Sequence, residues 1–228
     1  MKQTTAENRP TAPRGIGRPV DADPERSREN ILDAAEQLFA SQGYAATSIR
    51  EIADSVGVNT AMVHYYFGKK PQLMQAVFER VLEPVAKSIA DFSPESSTSL
   101  SDFAQIVIAM ASRHPNLPRL VTREVLLPGG QMREMFIQQF APRLGGALPG
   151  IVRMQQQAGK ISGDVDPPLT ALLILSLSLF PFLARDVAAE ALGIRYDEEG
   201  LQRLSAGITR FIERGLGPQG TNPQGTIP

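Results

Sequence analysis

Three features of this 228-residue sequence predict an all-α protein. Apolar residues recur at helical spacing through most of the chain. Pro and Gly punctuate those segments, and no run shows the period-two alternation of a half-buried strand. About nine helices are expected. Three fall in an N-terminal unit over residues 23–70, and six fall in a larger C-terminal domain over 71–215. Residues 1–22 are polar, Pro-rich and Arg-bearing and read as a flexible arm, and residues 216–228 read as a disordered tail.

The first helix has its start signal in Asp23, a good cap, and Pro24 at the first helical position. Ile31, Ala35, Leu38 and Phe39 then share one face, and Gly43 ends the helix. The second helix is predicted to be capped by Thr47, with Ile49, Ile52, Ala53 and Val56 at i, i+3, i+4 and i+7 and Gly57 at its close. Asn59 or Thr60 can cap the third, which runs to about "FGKK". Two short helices joined by a tight Gly-containing turn are the sequence form of a helix-turn-helix.

From Pro71 the pattern is helical to about Phe92, and "SPESSTS" follows as a loop. Further helices are expected near 100–113, 116–127, 131–158, 167–191 and 198–214. Pro142, Gly145, Gly146, Pro149 and Gly150 should bend or split the 131–158 segment. The most apolar run, Leu169 to Ala184, contains a Thr, two Ser and a Pro. It is shorter than the roughly 20 residues of a membrane-spanning helix and reads as a buried helix.

Composition narrows the function classes. The absence of Cys excludes disulfides and thiolate metal sites, and two histidines, His64 and His114, leave no His-rich metal site. The N-terminus has no apolar signal-peptide core, so a cytoplasmic location is expected. A literal GxGxxG (Gly215, Gly217, Gly220) follows a helix and enters the tail, whereas dinucleotide binding needs it between a strand and a helix. No GxSxG, Walker A or HExxH pattern appears, so neither an enzyme nor a bound cofactor is expected.

The segment "VGVNTAMVHYYFGKK", Val56 to Lys70, carries the richest chemistry. On a helix from Thr60 to Phe67, Val63 and Phe67 lie i, i+4 and turn inward with Val58, while Thr60, Ala61, His64 and Tyr65 turn elsewhere. The major groove of DNA accepts a helix, and its base edges and phosphates take donors such as His64, Tyr65 and Tyr66. Tyr66 is as well suited to packing on the first helix. Lys69 and Lys70 at the helix exit can reach phosphates.

Charge alone does not advertise such a role, because the net charge is −1. Between Arg14 and Lys70 seven positive groups (Arg14, Arg18, Arg26, Arg28, Arg50, Lys69, Lys70) face eight negative ones (Asp21, Asp23, Glu25, Glu29, Asp33, Glu36, Glu51, Asp54). DNA binding therefore requires the acidic groups to be turned away. Arg14 and Arg18 resemble a minor-groove arm, with a solvated tail as the alternative.

The stretch "TSIREIADSVGVNTAMVHYYFGKKPQLMQAVF" resembles the DNA-binding region of TetR-family transcriptional regulators. The shared features are a Thr opening the second helix, I-A-x-x-x-G-V, a small residue at Ala61, an aromatic pair, Phe67, a Lys and a following helix with Leu73. The resemblance covers about residues 25–80. It implies that Thr47, Ser48 and Arg50 face the DNA from the second helix. It also implies that Thr60, Ala61, Met62 and His64 lie closest to the bases, and that Tyr65, Tyr66 and Lys70 hold phosphates. His64 stands where a Tyr is common, and Met62 where a Thr or small residue is common.

The resemblance further implies a homodimer on a palindromic double-stranded operator, released by an unidentified small-molecule effector. The helices near 167–191 and 198–214 are the apolar candidates for the subunit interface. Phe103, Met110, Met132, Met135, Phe136, Phe140 and Phe180 are candidates to line an adaptable apolar pocket, with ordinary core packing as the alternative for each.

Overall fold

The computed structural model describes residues 23–92 and 98–217. The expected arm with Arg14 and Arg18, most of the "SPESSTS" loop, Gly220 and the tail from residue 218 lie outside them. The described residues form eleven α-helices and no strand. The N-terminal unit holds α1 (Pro24–Gln42), α2 (Ile49–Ser55) and α3 (Thr60–Phe67). The long α4 (Lys70–Ala90) leads to α5 (Leu100–Arg113) and α6 (Leu117–Val121), which runs into a π-helical turn, Thr122–Leu126. Then come α7 (Arg133–Gln139), two short 3-10 turns, α8 (Leu148–Gln157), α9 (Pro167–Leu183), α10 (Arg185–Leu192) and α11 (Glu198–Leu216).

Two of the nine expected helices divide. The 131–158 segment breaks into α7 and α8, with 3-10 turns at the Pro142 and Gly145–Gly146 positions. The 167–191 segment breaks at Ala184, where α9 and α10 bend by 77°. No single described helix is long and apolar enough to cross a membrane.

The core is in two parts, and their boundary does not fall at residue 70. Leu73, Met74, Val77, Phe78, Val81 and Leu82 of α4 join Ile31, Leu32, Phe39, Ile52, Val63 and Phe67 in the first cluster, together with Leu117, Leu120, Val125, Met132 and Phe140. Val85 and Ile89, one turn further on, join Phe103, Val107, Leu148, Ile174 and Ile208 in the second. The changeover sits at Pro84, inside α4. Proline has no N–H to donate to the carbonyl of Arg80, so the helix is weakest between the two cores.

Polar ties reinforce the first cluster. Arg80 of α4 reaches Asp33 and Glu36 of α1 at 2.7 Å each and Glu29 at 3.3 Å, and His114 at the end of α5 lies 3.3 Å from Glu36. Burial opposes the Arg80 charge, but hydrogen bonds and charge from Asp33 and Glu36 outweigh it and hold the guanidinium above its ordinary pKa.

Candidate nucleic-acid interface

The reading head is built by caps and one permissive turn. Ser48, not Thr47, caps α2. Its hydroxyl accepts from the Glu51 N–H at 3.1 Å, and its own N–H donates to the Glu51 carboxylate at 2.7 Å. These bonds, with help from nearby Lys70, pull the Glu51 pKa below its ordinary value. Gly57 carries the turn with φ +69°, which a side chain rarely adopts. Asn59 caps α3 by accepting from the Met62 N–H at 2.8 Å.

Helix α3 divides its faces as the spacing predicts. Val63 is fully buried and Phe67 nearly so, while Val58 packs on the same cluster. Thr60, Ala61, His64 and Tyr65 are exposed, Tyr65 to 83%. Met62 is half-buried, which leaves part of its thioether outside. Tyr66 is half-buried against the core, edge-on to Tyr65 at 5.3 Å between ring centroids. Its two readings meet here: the ring packs on the core and stays partly exposed.

His64 has a defined hydrogen-bonding state. Its Nδ1 lies 2.6 Å from the Gly68 carbonyl, which only accepts, so Nδ1 carries a proton and Nε2 is the nitrogen left to act. Arg50 is exposed and pairs with Asp54 one turn on at 3.6 Å. The Lys70 amine lies 4.3 Å from the Tyr44 ring centroid and 3.4 Å from the Ala45 carbonyl, at the edge of the α1–α2 loop.

Thr47 does not belong to this surface. It is 1% exposed, and its hydroxyl donates to the Gly43 carbonyl at 2.8 Å, with the Leu38 carbonyl at 3.2 Å. Thr and Ser cap equally well by type, and loop geometry assigns the inner role to Thr47 and the outer one to Ser48.

Six of the eight acidic groups counted against the basic ones are engaged within the protein. Glu29, Asp33 and Glu36 converge on Arg80, Glu51 closes its cap, Asp54 pairs with Arg50, and Asp23 caps α1. The exposed α3 residues from Thr60 to Tyr65 include no carboxylate.

This exposed helix, held by a capped partner across a tight turn, is matched by the family model "Bacterial regulatory proteins, tetR family" over residues 31–77. A second model, "Tetracyclin repressor-like, C-terminal domain", matches residues 97–212, half of the chain. The chain belongs to the tetR family of bacterial regulatory proteins. As a member it is a sequence-specific DNA-binding transcriptional regulator, with α2 and α3 as its helix-turn-helix.

Similar proteins span most of the length of this tetR-family chain. UidR of Escherichia coli, an HTH-type transcriptional regulator, is 28% identical over 208 residues, 83% of this chain and 95% of that one. NicS of Pseudomonas putida, an HTH-type transcriptional repressor, is 28% identical over 72% of this chain and 84% of that protein. The probable regulator YttP of Bacillus subtilis is 32% identical, but over only 48% of this chain and 55% of that protein. In fold, the chain is similar to the ketosteroid transcriptional regulator KstR2 of Mycobacterium tuberculosis, with a TM-score of 0.65 and 17% identity over 85% of this chain and 96% of that one.

The expected pocket residues are spread over the two cores and the surface. Phe103 is in the second core; Met132 and Phe140 are in the first. Phe136 stacks with Phe78 and Phe140, each 5.8 Å away between centroids, and Met135 packs on the same cluster. Met110 touches both cores. Phe180 is 65% exposed and points out of the domain. An open groove lies elsewhere, between α5 and α11, lined by Gln105, Ile106, Ala109, Leu201, Ser205 and Thr209.

Sequence reading missed Arg80, Glu36 and Glu124. A signal existed for the first two. Glu36 falls among Leu32, Ala35 and Phe39, and Arg80 among Val77 and Val81, so each is a charge on an apolar helical face. Glu124 lies in a π-helical turn and has no comparable signature.

Proposed function

We propose that the protein is a homodimeric repressor of a palindromic operator, released from DNA by a small apolar or amphipathic effector. The observation that carries the dimer is the outer face of α9. Leu169, Leu172, Leu173 and Phe180 repeat at helical spacing and are all more than half exposed, and Phe211 of the neighbouring α11 is exposed as well. The buried helix expected from Leu169 to Ala184 is thus buried on one side only. A contiguous apolar stripe of this kind is costly in water and suits a two-fold contact with a second copy.

In such a dimer the two α3 helices enter successive major grooves about one helical turn apart. Thr60, Ala61 and His64 are then nearest the bases, with Met62 offering a methyl contact, and Ser48, Arg50, Tyr65, Tyr66 and Lys70 lie toward the backbone. The effector acts by preferring the conformer with the wrong spacing of the two heads. Helix α4 suits the lever, because it belongs to both cores and is weakest at Pro84. The repressor relative NicS is consistent with this direction of control.

The test begins with duplexes selected from a random pool by the full-length protein. A regulator prefers its selected site over random duplex by a factor on the order of 10³ or more. Equal affinity for both would mean an architectural DNA binder instead. A compound that binds the protein tightly and leaves operator affinity unchanged would remove the release mechanism.

A further inference from the structure

We infer that Glu124, a residue of the C-terminal domain, is a positioning residue for DNA binding: acting through Tyr44, it sets where the Lys70 amine meets the DNA backbone. The inference rests on the phosphate role proposed for Lys70.

Glu124 is a buried carboxylate that bonds both within its own segment and across the domain boundary. One oxygen accepts from the Tyr44 N–H at 2.9 Å, and the other lies 3.4 Å from the Gln131 N–H. Its backbone carbonyl accepts from the Met132 N–H at 3.0 Å. Gly130 packs so closely on that carbonyl that any Cβ there would overlap it. The Arg123 Nε stands 3.8 Å from the carboxylate, and the Arg123 guanidinium covers Gly43, whose φ of +93° and missing side chain both make room for it.

The head answers from its side. Tyr44 is buried, and its ring lies 5.6 Å from that of Phe39 between centroids. The outer face of the Tyr44 ring carries the Lys70 amine. Burial first, and the Glu124 charge second, raise the Tyr44 hydroxyl above its ordinary pKa, as their proximity requires. Thr47 bonds back to Gly43, so the loop from Gly43 to Thr47 is fixed at both ends. The π-helical turn holding Glu124 is closed by the Leu127 N–H on the Thr122 carbonyl at 2.9 Å. Such turns are rare and cluster at functional sites. A change in the 122–132 segment therefore reaches Lys70 through two contacts, Glu124 to Tyr44 and Tyr44 to Lys70, without passing along α4.

The experiment is a double-mutant cycle on the full chain. Affinity for a duplex selected by the wild-type protein is measured against salt for wild type, Lys70→Ala, Glu124→Ala and the double variant. Each single change is expected to weaken binding on the order of tenfold and to lower the slope of log K against log salt by about one per subunit. The double variant should bind no more weakly than Lys70→Ala, because both changes remove the same phosphate contact. Glu124→Gln keeps one oxygen for the Tyr44 N–H and should bind within about threefold of wild type. If Glu124→Ala loses its cooperative melt, Tyr44→Leu replaces it, since it keeps the backbone bond and removes only the ring under Lys70. A wild-type salt slope in Glu124→Ala or Tyr44→Leu, or additive losses in the double variant, would overturn the inference while leaving the regulator reading intact. A wild-type protein that enriches no duplex would sink both.

Discussion

The carboxylate of Glu36 lies 2.7 Å from Nη2 of Arg80, and both side chains are largely buried between α1 and α4. A buried ion pair is weak evidence for stability, but removing one partner leaves the other charge uncompensated. Arg80→Ala should therefore destabilise the fold by about 3–5 kcal/mol. Asp33, which also meets Arg80 but is mostly exposed, should cost under about 1 kcal/mol when changed to Ala. Urea unfolding of the two variants checks the contrast, and equal losses would refute it.

The two faces of α3 should separate stability from binding. Phe67→Ala removes a buried ring and is expected to cost about 3–5 kcal/mol. Tyr65→Ala, at an 83% exposed position, should change stability by less than about 0.5 kcal/mol. It should nevertheless weaken operator binding in a gel-shift titration. A Tyr65→Ala protein with undiminished affinity would move the phosphate role elsewhere.

Acid should loosen the head through Glu51. Its folded pKa is depressed by the Ser48 cap, so its stabilising contribution is complete above the ordinary value of 4.5 and is lost as pH falls through the lower folded value. Glu51→Gln should be less stable than wild type at neutral pH and lose less on acidification. Melting curves between pH 7 and about pH 3 read the difference. Parallel pH profiles would show that the cap contributes nothing through its charge.

A charge on the outer face of α9 should break the proposed dimer. Leu172→Glu replaces a 60% exposed side chain, so the folded protomer should tolerate it within about 0.5 kcal/mol. Sedimentation should then report monomer, with operator affinity falling because one head alone reads one half-site. A dimer that survives the substitution would place the interface off this face.

Several features were legible because their causes are local. Asp23 and Asn59 cap where residue type and position suggest, and Val63 and Phe67 turn inward because they lie four residues apart on a helix. The helix-turn-helix and its exposed residues follow from the same kind of signal. Thr47 shows the limit. Adjacent Thr and Ser offer the same hydroxyl, and only the Gly43 and Leu38 carbonyls draw one of them inside. The apolar pocket candidates show it again. Met and Phe at helical spacing mark burial, and burial does not say which of two cores receives them.

The sequence by itself determined nine helical segments, the caps of α1 and α3, the turn at Gly57 and the resemblance to the tetR family. Helical periodicity, capping and turn chemistry act between residues a few positions apart. Tertiary structure alone decided that α4 serves two cores, that α9 leaves an apolar face open, and that Glu36 and Glu124 lie buried at contacts with Arg80 and Tyr44. Those partners are 44 and 80 residues away along the chain. Contacts at that separation depend on how whole helices pack: the local pattern puts Glu36 and Arg80 each on an apolar face, and only the packing of α1 on α4 makes them partners.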